Sequence, residues 1–218
     1  MKNYLTEFIG TFFLVLVICL TTSNPMGATP MAPVAIGFIL MVMVYMGGHI
    51  SGAHYNPAVT LAIHMLGKIQ MMEMVKYWIA QLAGAISAAI TFYLIFKVTM
   101  HGPAPHIGFV GDVKPLVVEL LFTFALASVV LNVAVSKKTS GNSYYGLAIG
   151  CTVMAAAFAA GPVSGGAFNP AVGIGPNIVD MVFGNGGLSD AWIYIIGPFA
   201  GAALAAMVFK FTHSAGEY

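Results

Sequence analysis

The stretch SGAHYNPAVTLAIHML, residues 51–66, has an echo 113 positions later in SGGAFNPAVGIG, residues 164–175. Both run Ser-Gly, a short spacer, then Asn-Pro-Ala-Val. Asparagine is among the best helix N-caps, because its side-chain oxygen accepts from an unpaired N–H of the first turn. Proline suits the first helical position, where its missing N–H costs nothing. Asn56-Pro57 and Asn169-Pro170 therefore each predict the start of a helix, entered from Gly-rich, non-helical backbone. The apolar segments that follow, 56–66 and 169–183, are too short to cross a bilayer and predict buried or re-entrant half-helices.

The rest of the chain explains why such pieces would be needed. Of its 218 residues, 59% are hydrophobic and only 7% charged, with a mean hydropathy of +0.91. A soluble domain carries roughly 25% charged residues, so lipid must be the main solvent here. Net charge is +1 and every basic residue is lysine, which excludes a nucleic-acid partner that needs many phosphates neutralised. Apolar segments at 3–22, 31–48, 71–97, 113–136, 143–161 and 191–211 are each long enough, at roughly 20 residues, to span the hydrocarbon. The first could pass for a secretory signal, but Glu7 interrupts it, no small-residue cleavage pattern follows, and the segment recurs in the second half. Cys19 and Cys151 lie in apolar runs and read as small hydrophobes rather than a disulfide.

The two halves match throughout. Glu7 and Thr11 align with Glu119 and Thr123 (119 − 7 = 112). Gly84-Ala85 and Ala88-Ala89 align with Gly201-Ala202 and Ala205-Ala206 (201 − 84 = 117). Each unit holds three full spans, an odd number, so the second copy enters the membrane from the opposite side: an inverted repeat. The expected layout is one channel domain over 1–218, with repeat 1 at 1–98, a connecting loop at 99–113 and repeat 2 at 114–218. Lys2, Lys68, Lys76, Lys137, Lys138 and Lys210 fall on one side and Lys97 and Lys114 on the other, which predicts both termini in the cytoplasm. Short termini and outward loops without a glycosylation sequon point to the plasma (inner) membrane of a prokaryote.

In such a repeat the half-helices meet N-terminus to N-terminus near the midplane. Each end is equivalent to roughly +0.5 charge, and unwound backbone at that depth must be buried or line a water-filled path. The junction repels cations and protons, while freed carbonyls and two Asn amides can still hydrogen-bond a neutral solute.

The segments GHISGAHYNPAVTLA, Glu7 with Thr11, Glu119 with Thr123, Gln81-Leu-Ala-Gly84 and the second Asn-Pro-Ala together resemble the aquaporin (major intrinsic protein) family over essentially the whole chain. That resemblance implies an all-α membrane protein: six transmembrane helices plus two re-entrant half-helices, one pore per subunit, a homotetramer and no cofactor. It assigns Asn56, Pro57, Ala58, Asn169, Pro170 and Ala171 to the pore motifs. It makes Glu7 and Glu119 buried acceptors that hold the re-entrant loops, and places His49 near the pore on the cytoplasmic side.

One departure bears on the permeant. Most of the family follows the second Asn-Pro-Ala with arginine; this chain has Val172. Matching the segments puts the other three filter positions on Ile36, Ala157 and Gly166. Such a ring has no charge, aromatic or histidine, and predicts a wide, apolar constriction. The glycerol-conducting branch commonly carries Asp one residue later, where this chain has Gly173. Water with small neutral solutes such as glycerol, urea, ammonia or undissociated metalloid acids is the favoured reading. A water-selective pore and a pore for poorly hydrated solutes are the alternatives.

Other features carry less. His49 and His54 read as loop residues before the first half-helix, without the i,i+4 spacing or partner Glu of a helical zinc site. His64 reads as a packed residue, and His101 and His106 as loop residues. Gly84, Ala88, Gly201 and Ala205 form small-xxx-small contacts; Trp78, Trp192 and Tyr194 suit the membrane interfaces. A secondary transporter shares the inverted-repeat logic but needs an ionisable coupling group, and the symmetric Glu7 and Glu119 read as scaffolding instead. No catalytic constellation points to an enzyme.

Overall fold

The computed structural model describes residues 1–23, 25, 27–100, 102–104 and 113–218. His101 and His106, and most of the connecting loop, lie outside them. Among the described residues, six helices are long and apolar enough to cross a membrane: α1 (Lys2–Thr22), α2 (Ala32–Ser51), α4 (Met71–Phe96), α5 (Lys114–Val130, continued by a π-turn over Leu131–Val135), α6 (Tyr145–Ser164) and α8 (Ala191–Thr212). Two shorter helices, α3 (Pro57–Met65) and α7 (Pro170–Phe183), start where the Asn-Pro pairs predict. Large apolar side chains such as Phe13, Phe38, Leu94 and Leu121 are exposed on the outside, as lipid-facing residues are. The protein is an integral, multi-pass membrane protein.

Helices pair as the repeat requires. α1 lies on α4 as α5 lies on α8, α1 on α2 as α5 on α6, and α4 on α7 as α8 on α3. Glycines set the closeness of these contacts. A Cβ added at Gly84 would stand 2.5 Å from the Phe8 carbonyl oxygen, and one at Gly201 2.2 Å from that of Leu120. The last pair, α2 on α6, relates the repeats to each other. There Gly37 and Gly150 (150 − 37 = 113) face one another, each so close that a Cβ would strike the other's carbonyl at 2.7 and 2.4 Å. Equivalent residues meeting in this way mark the pseudo-two-fold axis.

Two sequence expectations need correction here. The second span runs past Gly47-Gly48 to Ser51, so His49 is an exposed residue in the last turn of α2 rather than a loop residue. Gly47 is a packing residue: a Cβ there would lie 1.9 Å from the Tyr55 hydroxyl. The helix stops instead at Gly52, whose φ of 88° puts it in the left-handed region that glycine tolerates. Trp78 and Tyr194 are not interfacial anchors either. The Trp78 indole N–H donates to the Pro57 carbonyl at 3.0 Å, and Tyr194 is fully buried, donating to the Ser164 carbonyl at 2.5 Å. Trp192 is exposed.

The termini lie on one face. Tyr4 donates to Glu73, Glu73 pairs with Lys76, Lys138 pairs with Glu217 and the Lys68 ammonium sits over the Tyr218 ring.

Candidate functional site

Each half-helix is held by a caged carboxylate. Glu7 accepts from the Ser51 hydroxyl at 2.7 Å, the His54 and Tyr55 N–H groups at 3.0 and 2.7 Å, and the Gln81 amide at 2.8 Å. Glu119 accepts from the Ser164 hydroxyl at 2.7 Å and from the Ala167 and Phe168 N–H groups at 2.9 and 2.6 Å. Both carboxylates are fully buried, and such a charge is tolerable only because donors surround it. Tyr77 and Tyr194 (194 − 77 = 117) add a second symmetric brace, donating to the Ser51 and Ser164 carbonyls.

The cage holds backbone that would not stay put unaided. Ala53, Tyr55 and Phe168 have φ values of 49°, 48° and 50°, a region that costs a non-glycine residue of order 1 kcal/mol. Gly165 and Gly166 take the same hand without that cost.

At the junction, each Asn performs two tasks. Its Oδ1 caps its own helix, Asn56 accepting from the Ala58 N–H at 2.9 Å and Asn169 from the Ala171 N–H at 3.0 Å. Its Nδ2 crosses to the other loop: Asn56 donates to the Phe168 carbonyl at 2.9 Å and Asn169 to the Tyr55 carbonyl at 2.8 Å. An amide NH₂ has two donors, so each Asn keeps one N–H beyond the bond it donates.

A cavity of about 740 Å³ runs past both Asn residues and is bordered by Ile36, Ala157, Gly166 and Val172 together. Its wall is apolar at Leu14, Ile18, Leu40, Val44, Leu126 and Ile149, and residues 53–56 and 165–169, with the polar side chains of His54, Asn56 and Asn169 among them, complete it. Among the described residues, no Asp, Glu or Lys lines it. Gly173 does not line it at all: a Cβ there would stand 2.3 Å from the Tyr194 Cβ, so an aspartate at this position would displace Tyr194.

His49 does not border this cavity. The histidine that does is His54, which lacks the spacing and partner Glu of a helical zinc site.

Half-helices meeting head to head inside six membrane-crossing helices, with a cavity passing their junction, define a membrane channel. The model of the family described as "Major intrinsic protein" matches residues 1–209, and the chain belongs to that family, the aquaporins, whose members are channels and not enzymes. Among its relatives, it is 38% identical to "Aquaporin NIP1-4" of Oryza sativa subsp. japonica over all of this chain and 79% of that one. It is 35% identical to a "Probable aquaporin NIP-type" of Nicotiana alata, covering 98% of this chain and 78% of that one. It is also 35% identical to "Probable aquaporin TIP2-2" of Oryza sativa subsp. japonica, covering 100% and 90%. In fold it is similar to the aquaglyceroporin from Plasmodium falciparum, with a TM-score of 0.79 at 20% identity over 95% of this chain and 94% of that one. These sequence relatives are plant proteins, and the expectation of a prokaryotic plasma membrane gains no support from them.

Proposed function

We propose that the protein is a passive channel for water and small neutral solutes, wide enough at its outer constriction for molecules of glycerol size. The observation that carries this reading is the uncharged cavity bordered at once by Ile36, Ala157, Gly166, Val172, Asn56 and Asn169. Without a fixed cation in the ring, selection against ions falls on the junction of the half-helices, where two positive dipole ends face each other. The spare Asn N–H groups orient a permeant oxygen as it crosses. Relatives named as aquaporins of the NIP and TIP types support a water and small-solute channel.

In this reading both termini are cytoplasmic, on the lysine-rich face, and the assembly is a homotetramer with one pore per subunit, as the family resemblance implies. Equilibrium loading tests the passive mechanism. Proteoliposomes given radiolabelled glycerol under an imposed proton or sodium gradient should reach equal concentrations inside and out. Accumulation above the outside concentration would make the protein a coupled transporter.

A further inference from the structure

One end of the α2–α6 contact is open, and the duplication shows what is missing there. Gly161 borders the cavity one turn of α6 beyond Ala157, about 6 Å farther along that helix. It also adjoins the ring of filter positions, since a Cβ added to Gly166 would stand 3.1 Å from the Gly161 Cα. At every other glycine of the six spans an added Cβ would come within 3.3 Å of a neighbouring atom, so packing accounts for the missing side chain. A Cβ on Gly161 would meet nothing within 4 Å. Glycine inside a helix is less stable than alanine, and no close contact calls for it here.

The first repeat holds the same contact in a filled form. Gly48 is the counterpart of Gly161 (161 − 48 = 113), and a Cβ on it would stand 3.3 Å from the Tyr145 ring. Tyr145 packs edge-on against Tyr45, with ring centroids 5.1 Å apart. The Tyr45 hydroxyl donates to the Ser143 carbonyl at 3.0 Å and accepts from the Leu147 N–H at 3.1 Å, which fixes the pair. The pseudo-two-fold axis carries Tyr145 onto Ala32 and Tyr45 onto Phe158 (145 − 32 = 113, 158 − 45 = 113). Ala32 and Phe158 border the cavity together with Gly161, whereas Gly48, Tyr45 and Tyr145 do not. At one end of the contact an aromatic ring closes α2 against α6. At the other a methyl group stands in its place, and the room the ring would take belongs to the cavity.

Resting on the channel reading above, we propose that Gly161 is a specificity-determining residue of the pore. With Ala32 and Phe158 it forms an outer chamber through which neutral polyols of glycerol size or larger approach the ring. The chamber is walled by these three residues and by Pro33 and Pro162, so it gives a carbon skeleton room without competing for its hydroxyls. A water molecule needs none of that room. Filling the chamber should therefore slow polyols far more than water.

Stopped-flow permeability of proteoliposomes to water and glycerol, with wild type and variants run in parallel, tests this. Wild type must first conduct both; if it does not, it is the channel reading that falls. Given a conducting wild type, Gly161→Leu should lower the glycerol-to-water permeability ratio at least roughly threefold, the factor given by a barrier raised by about 0.6 kcal/mol. Ala32→Tyr, which restores the ring found at the other end, should move the ratio in the same direction, and it carries the test should the leucine variant fail to fold. An unchanged ratio in either folded variant would overturn the chamber. Gly161→Ala supplies a readout that a packing role would not give: the detergent-solubilised protein should unfold at a higher temperature than wild type. A lower unfolding temperature would show that a contact requires glycine at 161, and would overturn its assignment to the pore.

Discussion

The side chain of Asn56 donates to the backbone carbonyl of Phe168, 112 residues away, at 2.9 Å. Asn169 returns the bond to Tyr55 at 2.8 Å, so each half-helix tip is anchored by the other repeat. The residues that border the cavity are the same ones that lock the repeats together. Substituting either Asn should therefore affect conduction and stability at once.

Asn56→Asp keeps an oxygen to cap α3 but removes the donor to Phe168 and places a carboxylate at the dipole junction. Thermal unfolding in detergent should show a loss of about 1–3 kcal/mol from the stranded carbonyl. Proteoliposomes loaded with a pH-sensitive dye should leak protons faster than wild type. A proton leak equal to wild type would mean that the junction does not control cation entry.

Glu119→Gln leaves the Ser164, Ala167 and Phe168 donors facing a neutral amide that also presents its own N–H. The cost expected from a buried donor left unsatisfied is about 1–3 kcal/mol, read as a fall in the unfolding temperature of the detergent-solubilised protein. Glu7→Gln should cost at least as much, since Gln81 joins that cage.

Val172→Arg should narrow the outer constriction and depress glycerol flux relative to water. Glycerol flux that does not change would place position 172 outside the constriction.

Gly84→Ala and Gly201→Ala should each destabilise by about 1–3 kcal/mol, because the added methyl meets main-chain atoms across the helix pair that cannot step aside. Equal effects at the two sites would reflect the repeat; a neutral result at either would show that its helix contact has slack.

At the face of the termini, the Lys138 ammonium holds the Glu217 carboxyl below the usual carboxylate range. A carboxyl whose folded value is depressed contributes stability above its unfolded value and loses it as pH falls through the folded one. Docking of residues 214–218 should thus persist at neutral pH and weaken only below the normal carboxylate range. Limited proteolysis of the tail across pH reads this directly, and Lys138→Ala should shift the release to higher pH.

Much of this was legible in the sequence because the duplication states each feature twice. Asn-Pro at 56 and 169 set the starts of α3 and α7, and the family resemblance pointed to the cages of the matched Glu7 and Glu119. The resemblance also named Ile36, Ala157, Gly166 and Val172, and these four border one cavity. What escaped was whatever the repeat does not duplicate. Gly47-Gly48 looks like a helix stop, yet the Tyr55 hydroxyl makes glycine necessary inside α2, and that error put His49 in a loop. His54, which borders the cavity, carries no such signal, because Ala167 stands at its place in the second half.

The most direct test of a neutral-solute channel is stopped-flow light scattering of proteoliposomes challenged in parallel with sucrose and glycerol gradients. The account predicts rapid shrinkage in both and fast re-swelling in glycerol alone. Shrinkage no faster than that of empty liposomes would contradict it outright, and rapid shrinkage without re-swelling would confine the pore to water.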